Sequence, residues 1–186
     1  DPNINGLANG IPGDSVQITG EITEFGGHES EIIPLENNNI TILGSGAAIT
    51  TTSINVCDLN DANQENQVAT GEQWEGSYVE IQNVTGVSVD PFSGGTRVSF
   101  VGQDANGCRV NISDRFIAQR MVKGNPAGTF VPPAVGSQYN YIRGIVSHSP
   151  NGCTGSGGRG YEIFPTQAND YDLNASLSCP TASNIV

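Results

Sequence analysis

Polar and apolar residues alternate along most of the chain. Val16-Gln17-Ile18-Thr19, Tyr78-Val79-Glu80-Ile81, Arg97-Val98-Ser99-Phe100 and Arg109-Val110-Asn111-Ile112 each change character at every step, the period of a β-strand that turns one face to a core and the other to water. Each run is bounded by Gly, Asn, Asp or Pro, and the stretches DPFSGG (Asp90 to Gly95) and DANG (Asp104 to Gly107) supply the positive-φ positions that tight hairpins need. Helical spacing is scarce. Only Ser113 to Val122 reads as a helix, with Ser113 as cap, Phe116, Ile117 and Met121 as a short apolar face and Gly124 as terminator. The pattern predicts an all-β protein with one short helix.

The two ends of the chain echo each other. Glu31-Ile32-Ile33-Pro34 is matched by Glu162-Ile163-Phe164-Pro165, and each follows a strand whose alternation is interrupted by a glycine, Gly20 or Gly144. Before the second copy come three strands and the predicted helix. The order strand-strand-strand-helix-strand-strand is that of the oligonucleotide/oligosaccharide-binding (OB) barrel. Before the first copy that front half is missing. The expected organisation is therefore a partial OB-like unit over 1–50, an acidic connecting loop over 51–73, a complete OB-like five-stranded barrel over 74–173 and a tail over 174–186.

The stretch PGDSVQITGEITEFGGHESEI, from Pro12, resembles the fourth and fifth strands of OB-fold modules appended to secreted nucleases and cell-surface proteins, especially of Bacteroidetes. WEGSYVEIQNVTGVSV, from Trp74, resembles the first strand of such a module, and YNYIRGIVSHS with YEIFPTQANDYDL resembles its closing strands. The resemblance implies an accessory module and carries no catalytic residues with it. A partial barrel leaves strand edges that invite pairing. Either Pro12 to Leu43 packs its hairpin on the barrel of the same chain, or it takes strands from a neighbouring subunit, and a head-to-tail contact of that kind builds a filament. The second case, which resembles the protomer of a bacterial extracellular fibril, is the leading expectation. It assigns assembly to Val16, Ile18, Ile22, Ile32 and Ile33, with the protein itself as head-to-tail partner.

Composition narrows the partners. The 186 residues carry 7 Lys+Arg against 19 Asp+Glu, a net charge of −12, which repels phosphate backbones and anionic lipid surfaces. No apolar run approaches the roughly twenty residues of a membrane helix. Neither nucleic acid nor membrane insertion is expected. The chain opens on Asp1 and has no apolar secretory segment, so a removed leader or a longer parent protein is expected. Cys57, Cys108, Cys153 and Cys179 lie far apart with no C-x-x-C pair, which disfavours zinc and favours two disulfides in a secreted or cell-surface protein, with four buried thiols as the alternative. Cys153 and Cys179 flank one predicted strand, so Cys153–Cys179 with Cys57–Cys108 is the favoured pairing.

Candidate chemistry is sparse. Asp61, Asn63, Glu65 and Glu72 fall at positions 1, 3, 5 and 12 of a calcium-loop pattern, but Asn66 stands where the turn glycine belongs, and a solvated acidic loop accounts for the same residues. Gly155 to Gly160 matches G-x-G-x-x-G but lies between strands, unlike a dinucleotide fingerprint. His28 and His148 sit in turn-like settings without a partnered nucleophile, and Glu21, Glu24, Glu29 and Glu31 read as solvent-face carboxylates. No catalytic constellation and no cofactor is expected. The usual OB ligand face, on the second and third strands, falls on Arg97, Ser99, Val101, Arg109 and Asn111, with Phe92 and Tyr161 as the available stacking rings. An uncharged glycan is the ligand chemistry that suits it, and a glycan-binding module of a larger enzyme or adhesin is the rival function. Asn39, Asn83, Asn111 and Asn174 begin N-glycosylation sequons, and Asp14-Ser15-Val16 resembles the O-glycosylation motif of Bacteroidetes secreted proteins, with Ser15 as acceptor.

Overall fold

The structure, a computed structural model, describes residues 10–27, 29–36, 39–92, 97–116, 134–148 and 159–174. The chain divides into two compact units, Asp1–Thr50 and Thr51–Val186.

The second unit is a closed barrel. Its strands are β5 (Thr52–Ser53), β6 (Tyr78–Phe92), β7 (Arg97–Gln103), β8 (Arg109–Ile112), β9 (Gln138–His148), β10 (Tyr161–Phe164) and β11 (Tyr171–Leu173). The path β6–β7–β8–β10–β9 returns to β6, with β8 and β10 parallel and the other neighbours in the ring antiparallel. That five-stranded ring with one parallel pair is OB-like, as the strand order predicted.

Strand β6 serves two neighbours in succession. Tyr78 to Thr85 pairs with β9, and Thr85 to Phe92 pairs with β7. Asn83 sits near the change of partner at φ 54°, a left-handed conformation that asparagine tolerates better than most side chains. Val79, Ile81, Val84, Phe100, Val110, Ile112, Ile142, Val146 and Ile163 fill the interior.

Residues 51–73 are more than the expected connecting loop. They form β5 and two single-turn helices, α1 (Val56–Leu59) and α2 (Val68–Gly71), and Ile54, Val56 and Leu59 belong to the barrel core. Asn60, fully buried, fastens this segment to the strands: its Nδ2 donates to the carbonyls of Tyr161 (2.8 Å) and Arg109 (3.1 Å), and its Oδ1 accepts from the Tyr161 amide (2.9 Å). The Cys57–Cys108 disulfide joins α1 to the start of β8. Of the expected helix, Ser113 to Phe116 is not helical and 117–122 lies outside the described residues.

Aromatic rings close one side of the core, with Phe100, Tyr139 and Tyr171 centroids 5.7 to 6.4 Å apart. Burial pushes the Tyr139 phenol up to about 12. Burial, then the hydrogen bond that Tyr78 donates to Asp170, raises Tyr78 to about 12 as well. A free phenol ionises near pH 10, so above that pH the unfolded chain sheds these protons before the folded one. The barrel's stability is then complete below pH 10 and falls as the pH rises from 10 to about 12. Phenolate absorbance followed beside a thermal melt should show ionisation of these two rings coinciding with unfolding. Ionisation of Tyr78 and Tyr139 near pH 10 in a still-folded protein, read against Tyr78→Phe and Tyr139→Phe variants, would contradict it.

Candidate assembly surface

The first unit is built like the second half of the barrel. Its strands are β1 (Ser15–Ile18), β2 (Gly20–Phe25), β3 (Glu29–Pro34) and β4 (Ile40–Gly44). β1 pairs antiparallel with β4 and β2 antiparallel with β3. β1 and β2 follow one another almost without a break, so β4 and β3 lie in series along them. In the barrel the long strand β9 carries β11 on its first half and β10 on its second. The registers correspond: Ile22 faces Ile32 as Val146 faces Ile163, and Glu21 faces Ile33 as Ile145 faces Phe164.

The shared glycine has a structural cause. A Cβ on Gly20 would lie 2.4 Å from the Ile33 carbonyl oxygen, and one on Gly144 would lie 2.8 Å from that of Phe164. In both copies the following strand crosses too close for any side chain.

The copies differ in what covers them. Ile142, Val146 and Ile163 are 0, 1 and 0% exposed inside the barrel, whereas their counterparts Ile18, Ile22 and Ile32 are 36, 78 and 51% exposed. In the barrel β6 runs antiparallel along β9 on the edge opposite β10 and β11, and β8 lies parallel beside β10. Among the described strands nothing occupies either place beside β1–β2 or β3. Val16 on β1 and Ile42 on β4 face each other and are also exposed.

Sequence reasoning placed Ile33 in the same set as Ile32, but successive residues of a strand point to opposite faces. Ile33 corresponds to Phe164 and lies on the other side of the sheet. Ile42 faces Val16 across β4 and β1, and the alternation Ile40-Thr41-Ile42 was its signal in the sequence.

The expected ligand face on the barrel is covered. Every residue of β7 from Val98 to Gly102 is buried, so its alternation does not mark a solvent face. Ser99 is buried. Asn111 is 1% exposed, its Nδ2 donating to Glu162 Oε2 at 2.7 Å. Arg97 holds buried Asp114 through two hydrogen bonds of 2.7 and 2.8 Å. Tyr161, expected as a stacking platform, is fully buried: His148 stacks on it at 4.4 Å, and its hydroxyl donates to Glu72 Oε2 at 2.7 Å. His148 is therefore an interior group rather than a surface turn residue. Arg109 stays exposed and donates to Gln103 Oε1. The Phe92 side chain and His28 lie outside the described residues.

The remaining candidates are dispersed. In the acidic loop Asp61 Oδ1 accepts the amides of Asn63 (2.7 Å) and Glu65 (2.9 Å), while Glu72 is bound to Tyr161. Asp61, Glu65 and Glu72 do not converge. The one close group of potential ligands among the described residues is Cys57, Asp104 and Cys108, and two of its three members are joined in the disulfide. Cys153 and Cys179 lie outside the described residues. Of the sequon asparagines, Asn83 is exposed, Asn39 and Asn174 are half-buried, and Asn111 is corrected, because its amide nitrogen is enclosed and bonded. Ser15 is exposed at the start of β1, and Glu21 and Glu24 are exposed on β2. The G-x-G-x-x-G stretch falls between β9 and β10, with 155–158 outside the described residues.

No protein-family model, no curated protein and no solved structure gives a significant match to the chain. The class its fold defines is an OB-like barrel unit that shares a chain with a second set of strands paired like its own closing strands.

Proposed function

We propose that the protein is a secreted, non-enzymatic structural subunit that assembles into an extracellular fibre or surface array, with the half barrel of Asp1–Thr50 completed by strands of a neighbouring protomer. The observation that carries this reading is the contrast between equivalent positions: Ile18, Ile22 and Ile32 lie open in one copy, while Ile142, Val146 and Ile163 are sealed in the other. Burying an isoleucine side chain contributes about 1.5 to 3 kcal/mol, so a chain that leaves this face uncovered gains substantially by association. An unpaired edge of β1–β2 adds main-chain hydrogen bonds to the same contact.

Secretion is supported by the Cys57–Cys108 disulfide, a bond that persists in oxidising compartments. No helix among the described residues is long and apolar enough to cross a membrane. Electron microscopy of the undenatured protein should show regular filaments or sheets of uniform width. A population of single particles at every concentration tried would overturn the reading.

A further inference from the structure

We propose that Asp104 guards the Cys57–Cys108 bridge: its carboxylate, set against the sulfurs, repels anionic thiols and keeps the bridge a permanent lock rather than a redox switch. The guard belongs to the barrel unit and acts whether or not the chain assembles.

The turn between β7 and β8 fixes the carboxylate in place. The Gly107 amide donates to the Asp104 carbonyl and the Asp104 amide to the Cys108 carbonyl, both at 3.1 Å. Asp104 Oδ1 accepts the amides of Asn106 (2.9 Å) and Cys108 (3.0 Å). So held, Oδ2 lies 3.7 Å from Cys57 Sγ, and one carboxylate oxygen and both sulfurs fall within 4.8 Å of one another. A bridged sulfur carries no proton to donate, so the carboxylate stands beside the bridge as a charge. Asn106 Nδ2 approaches Oδ2 at 3.4 Å.

Thiol–disulfide exchange starts when a thiolate attacks one sulfur. A new S–S bond forms as the Cys57–Cys108 bond breaks, and the other sulfur leaves with the electron pair as a thiolate. Cys108 is 9% exposed and Cys57 is half-buried, so Cys57 is the more accessible sulfur. Attack there brings an anion up to the Asp104 carboxylate. Attack on Cys108 instead expels a Cys57 thiolate 3.7 Å from Oδ2. Both routes gather like charges at short range, which raises their energy.

Reactive cysteines sit in the opposite setting, beside cations or helix N-termini that stabilise the thiolate. Cys57 does lie in the first turn of α1, but that helix is a single turn, and the Asp58 carboxylate accepts the Asn55 amide at its start. Arg109, next to Cys108 in sequence, directs its Nε to Gln103 Oε1 at 2.9 Å.

The test compares three small thiols on the folded protein: anionic mercaptoethanesulfonate, neutral mercaptoethanol and cationic cysteamine, each rate corrected to the thiolate present. Alkylation and peptide mapping read the reduction at Cys57 and Cys108. Asp104→Asn keeps an Oδ1 to accept the two amides and removes only the charge. Asp172→Asn, on β11, which does not pair with β8, makes the same change in net charge elsewhere. Cysteamine should reduce the wild-type bridge about tenfold faster than the sulfonate does. Asp104→Asn should remove most of that gap by raising the sulfonate rate, and Asp172→Asn should leave it. Equal rates for the three thiols in the wild type would overturn the inference. So would an Asp104→Asn variant that speeds all three alike, which would make Asp104 a brace of the turn. A bridge that none of the thiols reduces in any of the proteins is protected by burial, and that outcome overturns it too.

Discussion

The double variant Ile22→Asp with Ile32→Asp is expected to remain unassembled at concentrations where the wild-type chain forms filaments. These residues face each other across β2 and β3 and carry the largest exposure of the acceptor face. Each replacement removes up to about 1.5 to 3 kcal/mol of apolar burial from the contact, less for Ile32, which its own unit already half covers. It also asks a carboxylate to be enclosed without a partner, which costs further. Together they weaken association by about 5 kcal/mol or more, several thousandfold in the equilibrium. Sedimentation velocity reads the loss directly. The barrel's own melting temperature should stay put, because its core draws on residues from Ile54 to Ile163 and none from the first unit. Filaments that persist in the variant would show that this face is not the contact.

Replacing both Cys57 and Cys108 by alanine is expected to lower the stability of the barrel unit by about 4 kcal/mol, the loop-closure value for a bridge of this span. The bridge closes a sequence separation of 51 and holds α1, with Val56 and Leu59 in the core, against the start of β8. Asn60 clamps the same segment, but it does so through native hydrogen bonds, which do nothing to restrain the unfolded chain. Urea unfolding followed by Trp74 fluorescence measures the change. A loss below about 1 kcal/mol would mean that the bridge adds little to what the core already fixes.

Much of the barrel was legible because hairpins announce themselves: β6 to β10 alternate between turn residues, and the strand order alone implied the OB-like ring. The repeated Glu-Ile-x-Pro and its upstream glycine were legible too, since a close crossing of two strands leaves no room for a side chain at Gly20 or Gly144. What alternation could not disclose is a strand covered on both sides. Ser99, Asn111 and Glu162 are polar yet buried, Asn111 donating to Glu162, so a reading that assigns polar residues to water put a ligand face where there is none. The role of residues 51–73 was hidden for a related reason. Their acidic, amide-rich composition looks like a loop, and only the spacing of Ile54, Val56 and Leu59 marks the side that enters the core. Tyr161 looked like an exposed ring because its flanking glycines resemble a loop. Gly71, whose added Cβ would sit 2.5 Å from that ring, shows how tightly it is enclosed.

The central claim is that the half barrel is finished by another copy of the chain. Its most direct test is the mass in solution of the undenatured protein across a wide range of concentrations. The account predicts a mass that rises with concentration beyond dimer without reaching a closed limit, as a head-to-tail contact requires. A constant mass equal to that of the 19.4 kDa chain would contradict it.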